Sequence, residues 1–212
     1  MKELIELYDK LQIEYGSANL NSVYGCGEDK NPKIALVFMN PTKRNIATDK
    51  SWTGIKAQWL GTKQIWDFLT KCGLFSKKLN ESIKLKKPKD WSPDFCREVY
   101  DEVKKRGIWI TNLAKCSQED ARELSDSVFI KYKYLLECEL ELINPQKILL
   151  FGNQVSSIML DKKITVSTTR QKKFNLKIWQ KVYDCYTIFY PVGNGRFNQD
   201  KAIIDIKSIL NL

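Results

Sequence analysis

The stretch "KIALVFMNPTKRN" at residues 33–45 decides how the chain is interpreted. Its apolar run, residues 34–39, is unbroken, which is typical of a strand buried on both faces of a parallel sheet. The run ends at Asn40-Pro41, and the cations Lys43-Arg44 follow. Because Asn and Pro are common in turns, one interpretation is a surface turn. The other is a ligand site, because open α/β sheets bind ligands at the carboxyl ends of their strands.

Three more short apolar runs occur along the chain, at residues 108–111, 147–152 and 186–191. The segments between and around the runs have helical spacing, at residues 1–15, 61–75, 92–107, 127–145 and 198–212. Strands that alternate with helices predict an α/β fold, a three-layer α/β/α sandwich around a mainly parallel, four-stranded central sheet. With no internal boundary, residues 1–212 are expected to form a single domain.

The formal net charge is +10, which favours a polyanionic partner, nucleic acid before an anionic membrane surface. A basic surface that only contacts solvent would give the same charge. The most lysine-rich stretch, residues 77–92, is interpreted as a solvated connection in preference to a DNA-contacting loop. The sequence contains no histidine, which excludes Ser-His-Asp and Cys-His hydrolases and most catalytic zinc sites. It also lacks the GxxxxGK[ST] and GxGxxG loops of nucleotide-binding proteins.

Targeting signals and cysteines indicate an intracellular protein. Residues 1–15 carry acidic side chains in an amphipathic pattern, unlike a signal peptide, and no apolar stretch approaches membrane-spanning length. We therefore expect a soluble protein of the cytoplasm, associated with the nucleoid in a prokaryote. The six cysteines are scattered without a CxxC pair, so buried, reduced thiols are expected.

Polar or glycine-rich segments follow each of the four predicted strands. Asn40 follows the first and Asn112 the second, while "FGNQ" follows the third and "YPVGNGRF" the fourth. The carboxyl ends of parallel strands share one edge of a sheet, so these groups are expected to lie together. Between the first two strands, Trp66 fits a helix core. Trp52 and Trp59 lie among Gly, Thr, Lys and Gln, where aromatic rings beside cations are suited to stacking on bases.

Taken in order, these segments resemble the motifs of the uracil-DNA glycosylase superfamily over most of the chain. "FMNPT" is similar to the first motif, which ends a strand with a catalytic Asp, Asn or Glu, and "QWLGTKQIWDFL" to its aromatic-x-Gly element. "TNLAKC" looks like an Asn-x-x-Lys-Cys element, and "LINPQKILLFGNQ" resembles the third strand. "YPVGNGRF" corresponds to the final motif and its intercalating loop.

The resemblance implies a role for individual side chains. It implies a catalytic role for Asn40 and Tyr190. It places the base among Met39, Pro41, Trp59 and Asn112. It implies DNA contacts for the loop Gly193, Asn194, Gly195 and Arg196, with Arg196 or Phe197 entering the base stack. By their charge and position, Lys43, Arg44, Lys115 and Arg122 are expected to contact phosphates.

Purely structural roles also remain open for several of these residues. Tyr190 also fits a core position at a strand end, and Asn112 fits a turn. Glu119 and Asp120 also offer ion-pair partners to Lys115 and Arg122. The glycines of "GNGR" also fit an ordinary turn.

Three departures from the family pattern affect what is expected. Tyr190 and Val192 stand where the family has His or Asn and Ser, and Phe38 stands where a small residue is usual. The four-cysteine cluster of one branch is not reproduced, because Cys116 fits one position but Cys138 is displaced. We therefore expect no iron–sulfur cluster, no metal and no cofactor.

The function that the resemblance implies is a monofunctional DNA glycosylase of base excision repair. It would extrude a damaged or deaminated base from DNA, uracil first, and hydrolyse the N-glycosidic bond as a monomer. Two alternatives stay open. One is a glycosylase for hypoxanthine, mismatched thymine or an alkylated base, and the other is a non-catalytic DNA-binding protein on the same fold. An unrelated nucleotide-processing enzyme is disfavoured because the phosphate loop is missing.

Overall fold

The computed structural model describes residues 1–120 and 124–212, and this part of the chain contains six strands and eight α-helices. The strands are β1 (Cys26–Gly27), β2 (Ile34–Phe38), β3 (Ile108–Asn112), β4 (Lys147–Phe151), β5 (Lys173–Ile178) and β6 (Lys181–Ile188). The helices are α1 (Lys2–Tyr15), α2 (Gln64–Lys71), α3 (Lys77–Leu85), α4 (Pro93–Lys105), α5 (Asp126–Ile143), α6 (Asn153–Met159), α7 (Val166–Thr169) and α8 (Gln199–Leu210). Short 3₁₀ helices lie at Ile46–Thr48, Pro88–Asp90 and Gly193–Asn198.

The predicted α/β class is confirmed, but the predicted sheet is wrong in strand number and in type. The four apolar runs form β2, β3, β4 and β6, which pair in parallel in the order β3-β2-β4-β6. Two antiparallel edge strands, β1 and β5, extend this core to a mixed six-stranded sheet. The sequence pattern missed them because β1 has only two residues and β5 alternates between exposed and buried positions.

Helices pack against both faces of the sheet. Residues of even and odd number on β2 divide between two core clusters, because successive side chains of a strand point to opposite faces. Ile34, Leu36 and Phe38 join the cluster formed with α2, α3, α4 and α8. Ala35 and Val37 join the cluster formed with α1, α5 and α6. Every residue of β2 is buried, which explains its unbroken apolar sequence.

Local signals set the helix bounds, and the predicted helices are present. Ser92 caps α4 through its Oγ, which accepts from the Phe95 N–H at 3.2 Å, and Pro93 occupies the first turn. α5 ends at Asn144 in the left-handed conformation, immediately before Pro145. No helix in residues 1–120 or 124–212 is long and apolar enough to cross a membrane.

The lysine-rich stretch 77–92 is not the solvated connection that its composition predicts. It forms α3 and the 3₁₀ helix Pro88–Asp90. Ser76 caps α3, and Leu79 and Ile83 are buried one turn apart in the same core cluster as α2. The lysines occupy the outer face, so their number conceals the two apolar residues that hold the helix in place.

Candidate functional site

The topology places a switch point at the carboxyl edge of the sheet between β2 and β4. From β2 the chain proceeds to β3 on one side, and from β4 it proceeds through α6 and α7 to β5 and β6 on the other. Such a switch point is where open α/β sheets bind ligands, because the two loops diverge there. The Phe38 and Phe151 rings lie at the carboxyl ends of these two strands and stack with centroids 4.3 Å apart. They form the floor of the candidate site.

Asn40 lies just beyond Phe38, on a segment held by backbone hydrogen bonds. The Ala114 N–H donates to the Met39 carbonyl at 2.9 Å, and the Gln118 N–H donates to the Pro41 carbonyl at 3.1 Å. The half-buried Asn40 side chain donates through Nδ2 to the Pro41 carbonyl at 3.2 Å. In the described residues no donor reaches Asn40 Oδ1, so this oxygen is available to accept a hydrogen bond.

Trp59 and Tyr190 both contact Phe38, one of the two rings that form the floor of the candidate site. Trp59 contacts the Phe38 ring edge-on at 5.1 Å, and Tyr190 does so at 6.0 Å. Trp59 has φ of +62°, and its buried Nε1 has no hydrogen-bond partner in the described residues. A non-glycine residue in the left-handed region indicates that the surrounding contacts hold the chain there. The fold therefore brings Trp59 and Tyr190 to the strand end that carries Asn40.

Asn112 is fixed in orientation by a chain of hydrogen bonds through Gln58. Gln58 Nε2 donates to the Val23 carbonyl at 3.2 Å, and Gln58 Oε1 accepts from Asn112 Nδ2 at 2.9 Å. A backbone carbonyl can only accept, so the direction of both amides is set. Asn112 Oδ1 is left buried and without a partner in the described residues. Asn112 pairs with Phe38 in the sheet register, so this acceptor lies next to the floor.

Gln58, which no motif in the sequence predicts to be part of the site, is 1% exposed and also accepts a 2.8 Å hydrogen bond from the Tyr100 hydroxyl at its backbone carbonyl. The available signal was its place in "QWLG", where a polar residue directly precedes the aromatic residue assigned to stacking. A buried glutamine at that point requires hydrogen-bond partners, and Asn112 is one of them.

Lys115 does not have the predicted role. Its side chain is fully buried, its Nζ lies 3.0 Å from Glu139 Oε2, and it donates to Thr111 Oγ1 at 2.8 Å and to the Asn112 carbonyl. Burial lowers the pKa of Lys115, although Glu139 opposes this effect. The predicted phosphate contact is therefore wrong, because Lys115 lies in the core and holds the chain at the end of β3.

Met39 and Pro41 differ from Trp59 in their surroundings. Met39 packs against the cluster of α1 and α5, whereas Trp59 and Tyr190 pack against the opposite one. The Met39 side chain therefore turns away from the aromatic floor. Pro41 is buried beside Asn40, where its ring restricts the backbone.

The Tyr190 hydroxyl has no hydrogen-bond partner in the described residues. Burial raises the pKa of Tyr190, so the hydroxyl stays protonated at neutral pH and can act as a donor. Gly152, with φ of +92°, follows β4, and a Cβ atom there would lie 3.6 Å from the Tyr190 ring. The ring is thus packed against the loop that leaves β4.

The loop after β6, residues 193–198, is exposed and approaches the site through its backbone. A Cβ atom at Gly195 would lie 2.0 Å from the Tyr190 carbonyl, so only glycine fits at this position. Gly193 has φ of +58°, which favours glycine as well. Asn194 and Arg196 are exposed, and Phe197 is 82% exposed beneath the Arg196 guanidinium at 5.5 Å.

The remaining predicted DNA contacts lie on the surface after β2 or outside the described residues. Lys43 forms an exposed ion pair with Glu119 at 3.3 Å, and Arg44 is exposed beside it. Arg122 lies outside the described residues, so its predicted contact stays a prediction.

The cysteines do not gather around a common point. Burial raises the pKa of the Cys26 thiol to about 12 and raises that of Cys116 as well. Within residues 1–120 and 124–212 no group of three or more Cys, Asp or Glu side chains is placed to hold a metal ion.

The aromatic floor, the oriented Asn112 and the strand-end Asn40 are the features from which a function is inferred. A scan against protein-family models and a search of curated proteins both returned no match to this chain. The chemistry of these side chains therefore carries the functional argument.

Proposed function

We propose that the protein is a DNA glycosylase, related to the uracil-DNA glycosylase superfamily, that hydrolyses the N-glycosidic bond of an extruded base. The observation that carries the proposal is the orientation of Asn112. Its Nδ2 is engaged by Gln58, and its Oδ1 is a buried, unpartnered acceptor in the described residues. Uracil offers an imide N–H that matches this acceptor, whereas cytosine has a bare acceptor nitrogen at that position. An unpaired buried acceptor costs free energy, which a base with a matching donor recovers.

The aromatic side chains supply the surface on which such a base stacks. Trp59, which is half-buried at the carboxyl edge and packs edge-on against Phe38, supplies the ring for this stacking beside Asn112. Stacking on an aromatic ring stabilises a bound base by about 1–3 kcal/mol, which offsets part of the cost of removing it from the duplex. Because stacking hardly distinguishes one base from another, the hydrogen bond at Asn112 determines which base is selected.

Asn40 has the role of orienting water. Its Oδ1 accepts a hydrogen bond from a water molecule, whose oxygen attacks C1′ of the deoxyribose. The C1′–N bond breaks, and its electron pair leaves with the base. The water gives up one proton to solvent, and the base takes up one proton. The products are free base and an abasic site. An amide does not ionise near neutrality, so Asn40 acts by positioning.

Tyr190 has the role of donor to the departing base. Negative charge gathers on a carbonyl oxygen of the base as the bond breaks, and a preorganised donor there is worth roughly 2.7–4 kcal/mol. The hydroxyl is protonated at neutral pH, as tyrosine ordinarily is, and burial raises its pKa further. In the absence of histidine, Tyr190 and nearby backbone N–H groups are the donors for this role.

The experiment that tests the proposal is one incubation of the protein with a panel of oligonucleotides, each carrying a single lesion. Alkali then cleaves the strand wherever an abasic site has formed. We expect uracil to be released fastest. A panel with no cleavage, together with lesion binding no tighter than binding to undamaged DNA, would refute the proposal.

The side chain of Phe38 favours a second candidate within the same class. Where the family has a small residue, this ring is fully buried and stacked on Phe151. It reduces the space beside Asn112, which would select a base of another shape or abolish catalysis. Release of hypoxanthine, mismatched thymine or an alkylated base before uracil would favour another lesion. Tight lesion binding without release would favour a non-catalytic DNA-binding protein.

A further inference from the structure

A row of lysines on α2 and α3 lies beside the exposed loop after β6. We define the basic ridge as Lys63, Lys71, Lys77 and Lys84, all of which are exposed. Lys77 and Lys84 are seven residues apart on α3, and so lie on the same side of this helix. Lys84 forms an ion pair with Asp67 of α2 at 2.6 Å, and Lys63 Nζ donates to the Lys84 carbonyl at 2.5 Å. The two helices therefore present their cations on one continuous surface.

The basic ridge is continuous with the loop that the proposed function places in the base stack. An open cleft of about 380 Å³ separates them, lined by Gln64, Asp67, Pro191, Arg196, Phe197 and Gln199. Lys71 Nζ donates across it to Gln199 Oε1 at 3.4 Å, and Gln64 Oε1 accepts from the Gly193 N–H at 3.4 Å. The exposed loop and the lysines therefore lie on either side of the same cleft.

The charges of the ridge are incompletely neutralised. Asp67 is shared by Lys84 at 2.6 Å and Lys71 at 3.0 Å, so one carboxylate faces two ammonium groups. Lys63 and Lys77 have no ion-pair partner in the described residues. Hydrogen bonding to Lys84 lowers the pKa of Asp67 to about 2, so the carboxylate stays charged and holds its lysines in place. Excess positive charge on a fixed surface attracts phosphate groups.

We propose that the basic ridge binds the backbone phosphates of the DNA on one flank of the extruded nucleotide. This inference rests on the proposed function and extends it to a surface that the sequence analysis interpreted as solvated. α3 has nine residues and is therefore about 13 Å long. Stacked nucleotides rise by about 3.4 Å each, so the ridge covers roughly four nucleotides. Phosphate contacts carry no sequence information, so the ridge adds affinity without changing the choice of base.

The test compares two triple variants that remove the same charge. The ridge variant is Lys63→Gln/Lys77→Gln/Lys84→Gln. The control variant is Lys30→Gln/Lys177→Gln/Lys181→Gln, whose lysines are exposed near the amino ends of the parallel strands. Fluorescence anisotropy measures the affinity of each protein for a uracil-containing duplex over a range of salt concentrations. We expect the slope of log affinity against log salt to decrease in magnitude by about 2–3 for the ridge variant and to stay unchanged for the control.

Shortening the duplex locates the ridge on one flank. The lesion is placed two nucleotides from one end or from the other. We expect the difference between the wild type and the ridge variant to vanish when one flank is shortened and to persist when the other is shortened. Equal slopes for the two triple variants, or a difference that survives both truncations, would overturn the inference.

Base release by the wild type, measured on the same duplexes, separates this inference from the proposed function. If the wild type releases base but the two triple variants have equal salt slopes, the glycosylase proposal is retained and the proposed role of the basic ridge is refuted. No release from any lesion, with a slope that depends on the ridge, would remove the glycosylase proposal and leave a DNA-binding surface.

Discussion

The loops that follow β3 and β6 leave the same edge of the sheet but are held differently. After β3, Lys115 is fully buried against Glu139, and the backbone pairs with the segment that carries Asn40. After β6, the chain forms a 3₁₀ helix whose Phe197 is 82% exposed. The loop after β3 is therefore buried and hydrogen-bonded, whereas the loop after β6 is exposed to solvent.

This difference matches two tasks that the proposed function would require. Reading a base and positioning water require side chains with fixed orientation, which the buried network around Asn112 provides. Insertion into a base stack requires an apolar side chain exposed to solvent before DNA arrives, as Phe197 is. Substitutions in the two loops are therefore expected to differ in kind, the first changing stability and selectivity and the second changing affinity alone.

The largest effect is expected for Lys115→Met. Removing the ammonium leaves Glu139 buried without its ion-pair partner. Breaking a buried ion pair in this way costs about 3–5 kcal/mol, and we expect the lower end because Tyr8 and Trp109 still donate hydrogen bonds to Glu139. Urea denaturation followed by circular dichroism measures the loss in free energy of unfolding. The control is Lys43→Met, whose ion pair is exposed and is worth at most about 1 kcal/mol. Equal losses for the two variants would break the contrast between the loops.

A smaller effect, on selectivity, is expected for Gln58→Leu. Without the acceptor on Gln58 the Asn112 amide is free to turn, so the site presents a donor as readily as an acceptor. One neutral hydrogen bond is worth about 0.5–1.5 kcal/mol. If uracil is the preferred lesion, the ratio of its release rate to that of the lesion released next fastest should fall by up to about tenfold. Single-turnover release of both bases gives this ratio.

The ratio of the two release rates distinguishes a loss of Asn112 orientation from a loss of protein stability, because partial unfolding lowers both rates equally. Gln12→Leu is the matched control, since Gln12 is also a buried glutamine with hydrogen bonds to Ser17 and Ser117. We expect it to lower stability and leave the ratio unchanged. A Gln58→Leu variant with wild-type selectivity would show that Gln58 has only a structural role.

An effect of similar size, but on affinity alone, is expected for Phe197→Ala, which changes a side chain that contributes little to the core. We expect the free energy of unfolding to stay unchanged and the affinity for a lesion duplex to fall by roughly fivefold to tenfold, the low end of the range for one stacking contact. Val182→Ala is the control, because Val182 is 60% exposed at the amino end of β6, opposite the strand ends that carry the candidate site. Equal affinity for the two variants would place Phe197 outside the DNA contact.

The sequence predicted the parallel core of the fold because both faces of those strands are buried. Unbroken apolar runs such as residues 34–39 and 108–111 can be recognised as buried strands without knowledge of their partners. The edge strand β5 has one face exposed, and its sequence "KFNLKI" shows only short alternation. Residues 77–85 were missed for the related reason that composition hid the spacing of Leu79 and Ile83.

The site was predictable where it depends on strand ends and unpredictable where it depends on contacts between distant residues. Asn40, Trp59 and Tyr190 converge because the topology brings their segments to one edge. Lys115 was assigned to the surface because lysines are rarely buried without a partner. Its partner, Glu139, lies 24 residues later on α5, and no local pattern connects the two. Gln58 was missed for the same reason, since its role exists only through Asn112.

The most direct measurement is single-turnover release of free base by the wild type and by Asn40→Ala, on the preferred lesion and at saturating protein. If Asn40 positions the attacking water, the variant retains its melting temperature and most of its DNA affinity. Its release rate falls by ~10²-fold or more, the range for lost catalytic positioning. Asn175→Ala, at an exposed asparagine on the edge strand β5, controls for the substitution itself and should release base at the wild-type rate. A wild-type rate for Asn40→Ala, with or without a lowered melting temperature, would contradict the proposal and leave Asn40 as a turn residue.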